Sequence, residues 1–125
     1  MGTPDAPQIP MASTMNTTRQ PTIARIWRGR VPRARADEYE LYLRQDGIPP
    51  LEKTALAVQL LREDREHESE FVTISYWADV QDMSAFTGGD PNVVHHLARD
   101  QEFLIEMPKR IEVLRIALDS RVRSN

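Results

Sequence analysis

The sequence contains no cysteine among its 125 residues. That excludes a disulfide framework, thiolate catalysis and any zinc or iron–sulfur site that depends on sulfur ligands. Lysine is nearly absent too: of 16 Lys plus Arg, only Lys53 and Lys109 are lysine. Aromatic residues make up 6% and glycines number 5. No apolar run approaches the roughly 18 residues of a membrane span, so no membrane partner is expected. A formal charge of −3 with a pI near 5.6 argues against a nucleic-acid binder that works by neutralising phosphates. Residues 1–21 carry Pro4, Pro7, Pro10 and Pro21 among Ser and Thr, with no apolar periodicity. Such a stretch buries too little apolar surface to offset its ordering entropy and reads as a flexible tail. It also lacks the continuous apolar segment of about 7–15 residues that a secretory signal needs, so a cytoplasmic location is expected.

What remains is a single domain over residues 22–118, ahead of a frayed end at 119–125, within the usual range of about 100–150 residues. TIARIWRGRV reads as a first strand ending at Pro32. ADEYELYLRQD follows with Ala36, Tyr39, Tyr42 and Leu43 at helical spacing, Asp37 and Glu38 at the positive end of the helix dipole, and Gly47 as a stop. Pro49 and Pro50 are expected in a loop, before a strand TALAVQLLRE with Leu56, Val58 and Leu60 on one face. In EFVTISYW, Val72, Ile74 and Tyr76 share one face, and Phe71, Thr73, Ser75 and Trp77 the other. Asp79 is placed to cap a short helix carrying Val80, Met83 and Phe86, which Gly88 and Gly89 end. Asp90 and Pro91 then suit the start of a helix NVVHHLARD, and RIEVLRIAL forms a last strand.

The order β-α-β-β-α-β predicts an α+β, ferredoxin-like antiparallel sheet with its helices on one face. The other face should then be polar. Instead the strands place apolar groups on both sides: Ile23 and Trp27 oppose Ile26, and Phe71 and Trp77 oppose Val72, Ile74 and Tyr76. A second copy packed sheet to sheet about a two-fold axis would cover such a face, so a homodimer is expected.

The run TIARIWRGRVPRARADEYELYL, with EFVTISYWADVQDMSAF and the terminal FLIEMPKRIEVLRI, resembles the antibiotic biosynthesis monooxygenase superfamily. The resemblance covers roughly residues 22–118, and its most specific element is the strand ending in Trp77 followed by Asp79 and a helix with Phe86. It implies a dimeric α+β barrel with one small-molecule pocket per subunit. It also implies a cofactor-independent oxidoreductase acting on a small aromatic or enolisable substrate, with no metal or other cofactor. The cofactor-free members use an Asn four residues before the Trp; Thr73 occupies that position here. The haem-degrading branch, an alternative, needs a first-strand Asn about where Trp27 stands, and a helical His as axial ligand. A non-catalytic binding module of the same fold, or an isomerase-like protein, is the other alternative.

Within that resemblance, Trp77 would wall the pocket, and His95 or His96 would move the proton, since only His titrates near neutrality unaided. On a helix the two imidazoles point about 100° apart, so one alone could face inward. Thr73 or Arg25 would steady an oxyanion, with Trp27 and Phe86 also contacting substrate. Arg25 belongs to an acid-free run with Arg28, Arg30, Arg33 and Arg35, whose plainer reading is an edge strand blunted by charge. His67 lies in the polar DREHES turn. His95 with Asp100 or Glu102 could be assembled into a metal pair, as any helix offers such pairs, and no HExxH, GxSxG or Gly-rich phosphate motif is present.

Overall fold

The computed structural model describes residues 20–121 except 91, 93 and 95. Residues 1–19 of the tail expected over 1–21, residues 122–125 of the end expected to fray over 119–125, and His95 therefore lie outside the described residues. Four strands form one antiparallel sheet: β1 (Ile23–Pro32), β2 (Ala57–Asp64), β3 (Glu68–Trp77) and β4 (Glu112–Arg115). Their order across the sheet is β2-β3-β1-β4. The molecule is thus α+β, with an arrangement compatible with a ferredoxin-like fold.

The two central strands pair along their whole length, Ile23 opposite Trp77 through to Pro32 opposite Glu68. β1 is bonded by β3 along its whole length but by β4 only over Ile23–Ile26, so among the described residues its first part is interior and the rest has β3 alone as a strand partner. The edge-strand reading is therefore corrected for Arg25, which lies within the β4 pairing, whereas Arg28 and Arg30 lie beyond it. Those two stand on the open face beside acids: Arg28 meets Glu112 at 2.8 Å, and Arg30 meets Glu68 at 2.9 Å and Glu106 at 3.1 Å.

Three short helices and a fourth single turn accompany the sheet. A 3-10 turn (Arg33–Arg35) leads into α1 (Ala36–Tyr42), then a π-helical segment (Leu43–Gly47), then α2 (Ile48–Thr54). The loop expected at Pro49 and Pro50 is a helix, and Gly47 does not stop the chain but passes it on at φ −88. The prolines lie in the first turn of α2, where their missing N–H groups would have no intrahelical partner anyway. The π segment before them absorbs the break in the hydrogen-bond register. α3 (Val80–Thr87) begins as expected: the Asp79 carboxylate accepts the Asp82 N–H at 2.8 Å. It ends at Gly88, φ 83, followed by Gly89 at φ 137, both in the region that disfavours a Cβ.

The helix expected over NVVHHLARD does not form at its described residues. Asp90 does cap, but locally, accepting the Asn92 N–H at 2.9 Å, and Asp100 accepts the Leu97 N–H at 2.9 Å. The Leu97 N–H, which a helix over this stretch would have given to a carbonyl, goes to a side-chain carboxylate instead. The only helical turn here is α4 (Asp100–Phe103). The last strand is also shorter than RIEVLRIAL, four residues at Glu112–Arg115. Leu56 lies just outside β2 and is exposed, while Val58 and Leu60 share the helix-facing side.

The alternation in β3 holds throughout: Ser69, Phe71, Thr73, Ser75 and Trp77 are buried and the residues between them are half-buried. The main core packs Trp27, Val31, Tyr39, Tyr42, Phe71 and Phe103 together, with Tyr39 edge-on to Phe71 at 5.3 Å. A smaller cluster joins Leu51, Trp77 and Met83. Arg35 and Arg99 lie against the Phe103 ring at 4.2 and 5.1 Å, so their charges close over the apolar end of the core.

Candidate functional site

The helix-covered face of the sheet is not filled along its length. A cavity of about 160 Å³ lies between β1, β3 and the helical layer. Its floor comes from alternate residues of the strands. Arg25 and Trp27 are two apart on β1, and Thr73 is the registered neighbour of Trp27 on β3, so period two brings all three to one face. Tyr39 from α1, Phe86 from α3 and Ile111 before β4 add walls. Gly47, Ile48 and Pro50 bring the π segment and α2 to the rim, and His96, Leu97 and Asp100 complete it.

Two charges are buried in this lining. Arg25 is 7% exposed and Asp100 2%. Burial draws the Arg25 pKa below its ordinary value, because a desolvated guanidinium is disfavoured. Asp100 is fixed at both oxygens: Oδ1 accepts the Tyr39 hydroxyl at 3.0 Å and Oδ2 accepts the Leu97 N–H. Burial first, and then the neighbouring Asp100 carboxylate, push the Tyr39 phenol far above its usual value. Tyr39 therefore stays protonated with its proton committed to Asp100, and its oxygen retains acceptor capacity toward the cavity. A parallel bond from the Arg99 N–H to the Tyr42 hydroxyl, 2.9 Å, ties the same segment to α1.

Of the residues singled out from sequence, Arg25, Trp27, Thr73, Phe86 and His96 line one cavity. Trp77 does not. It is fully buried in the smaller cluster, its indole N–H donating to Ser75 Oγ at 2.9 Å, and its ring lies beside Phe86 of the lining, centroids 5.6 Å apart. His96 is exposed at the rim, and the helical geometry that would have set it against His95 is absent from the described residues. His67 is solvent-exposed in its turn. Sequence reasoning missed Tyr39 and the π–α2 rim, and saw Asp100 only as a metal partner. Among the described residues no group of three or more His, Asp or Glu could hold a metal ion, and none of their helices is long and apolar enough to cross a membrane.

The cavity can therefore hold a small apolar body against Trp27, Phe86 and Ile111 while presenting one cation, one hydroxyl and one committed phenol to it. The haem-degrading alternative asks for a helical His, and His96 lies outside any helix. No protein-family model matches the chain, and no curated protein matches it in sequence.

Proposed function

We propose that the protein is a cofactor-independent oxygenase of the dimeric α+β barrel kind, acting on a small aromatic or enolisable substrate held over β1. The observation that carries this reading is the juxtaposition of buried Arg25 and Thr73 with the Trp27 and Phe86 rings in one cavity. In the reaction, a methylene beside a carbonyl or phenol loses a proton, and Arg25 and Thr73 stabilise the oxyanion of the resulting enolate. The carbanion adds O2 to give a peroxide anion, which takes back a proton. The hydroperoxide then loses water to leave a new carbonyl, so one oxygen atom enters the product and the other leaves as water. His96, at the rim, serves as the acceptor and donor of the proton.

The partner proposed for the open face is a second copy of this chain. Ile26, Val72, Ile74 and Tyr76 are half-buried there, and Leu61 and Leu114 are 45% and 52% exposed. Around them stand the pairs of Arg28 and Arg30 with Glu68, Glu70, Glu106 and Glu112. A patch that is apolar at its centre and carries both charge signs at its margin can meet itself across a two-fold axis.

Oxygen uptake, measured with a panel of hydroxylated single-ring and anthrone-like substrates, tests the reaction. Uptake that falls at least tenfold in Arg25→Gln, with water and a ketone as products, is the expected result. A correctly folded protein that binds these compounds but consumes no oxygen would instead be a non-catalytic binding module, and the oxygenase reading would be wrong.

A further inference from the structure

The dimensions and charges of the cavity narrow what it can take. Its volume is about 160 Å³, close to the roughly 150 Å³ in which a single benzene ring is accommodated in an engineered protein cavity. One ring fills that space, and a second fused ring exceeds it. At one part of the lining stands Arg25, a group that keeps its proton in proteins and presents a rigid fork of donors to a planar anion. At another stands the Asp100 carboxylate, held in place by Tyr39 and Leu97, which would repel a second negative charge.

The room for that ring has an identifiable cause on β1. A methyl group on Gly29 would fall 2.4 Å from Cη2 and 2.8 Å from Cζ2 of Trp27, and 2.9 Å from Cδ2 of Leu104. The far end of the Trp27 indole therefore lies in the space that a side chain at position 29 would need. Gly29 is two residues from Trp27 on the same strand face, on the side away from Arg25. By leaving that place empty it lets the indole lean back along the strand, and the cavity exists in front of it.

We propose that the cavity takes a single-ring aromatic monoanion, its carboxylate or enolate at Arg25 and its ring against Trp27, and that Gly29 determines the size accepted. This rests on the reading of the cavity as a substrate site, and not on the oxygen chemistry assigned to it.

Calorimetric titration of the full chain with four probes tests it: benzoate, its neutral isostere benzyl alcohol, the dianion phthalate and the two-ring 2-naphthoate. Benzoate is expected to bind at least about tenfold more tightly than each of the others, since a charge-assisted fork is lost with benzyl alcohol and the other two meet repulsion or a wall. Arg25→Gln should equalise benzoate and benzyl alcohol, and Gly29→Ala should weaken benzoate about tenfold by pushing the indole forward. Equal binding of benzyl alcohol, or equal or tighter binding of phthalate or 2-naphthoate, would overturn the proposal. The four-ligand comparison on the unaltered chain decides this even if a variant fails to fold. Benzoate selectivity without oxygen uptake on any substrate would support this inference and remove only the oxygenase reading. Uptake with a three-ring ketone and no benzoate binding would remove this inference and leave that reading standing.

Discussion

The two faces of the sheet are built from the same four strands but carry opposite kinds of chemistry. On the covered face β3 presents Phe71, Thr73, Ser75 and Trp77, all buried, and β1 presents Arg25, Trp27 and Val31. On the open face the same strands present Ile26, Val72, Ile74 and Tyr76, only half-buried, among arginine–glutamate pairs. The covered face thus keeps polar groups inside its core, whereas the open face leaves apolar groups in water. Each is a cost to an isolated domain. A polar group is retained in a core where it has a use, and apolar groups are left on a surface where something covers them. On the reading proposed above, the ligand belongs to the covered face and the second copy to the open one.

Trp77→Ala should break the covered face most severely. Removing a fully buried indole in contact with Met83 and Leu51 is expected to cost about 3–5 kcal/mol, measured by urea unfolding. Equivalent truncation at Ile74 should cost the monomer far less, which is the first check on the contrast. Ile74→Asp should convert a dimer to a monomer at micromolar concentration in sedimentation velocity, with the far-ultraviolet circular dichroism unchanged. A monomeric parent protein would remove the partner from the open face.

Tyr39→Phe tests the polar interior. It leaves the buried Asp100 carboxylate without its phenol donor and is expected to cost about 1–3 kcal/mol. The pH dependence has a definite sign. The folded pKa of Tyr39 lies above its unfolded value near 10, so its contribution is complete below that pH and declines as pH rises beyond it. Alkaline destabilisation above pH ~10 should therefore be weaker in Tyr39→Phe, followed by the unfolding midpoint across pH 8–11.

The smallest effect belongs to the surface network of Arg62 with Asp37, Glu40 and Asp64. Hydrogen bonds from Arg62 hold the Glu40 and Asp64 carboxyls below their ordinary range. Their contribution is present above the unfolded carboxylate values and is lost as pH falls through the lowered ones. Arg62→Ala should remove that small contribution at neutral pH, leave stability at low pH unchanged and so flatten the acid limb.

Much of this architecture is legible in the sequence where one local signal decides it. The period-two alternation from Phe71 to Trp77 sets the faces of β3, and Asp79, Gly88 and Gly89 bound α3. The misread segments are those where a local signal has two outcomes. Pro49 and Pro50 break a helix from inside but suit the first turn of the next one. Asp90 can open a helix or close a turn, and here its carboxylate accepts the Asn92 N–H with no helix following at the described residues. The site divides the same way. Arg25, Trp27 and Thr73 follow from strand period and pairing, whereas the bond between Tyr39 and Asp100 spans 61 positions and leaves no local trace.

The two tryptophans offer the most direct test, because one lines the cavity and the other lies behind it. In a nitrogen-15 correlation spectrum titrated with benzoate, the indole N–H signal of Trp27 should shift progressively to saturation. That of Trp77, bonded to Ser75, should remain near its place. A Trp77 signal that shifts while Trp27 stays fixed, or no shift in either at saturating benzoate, would contradict a ligand site on the Arg25 face of the sheet.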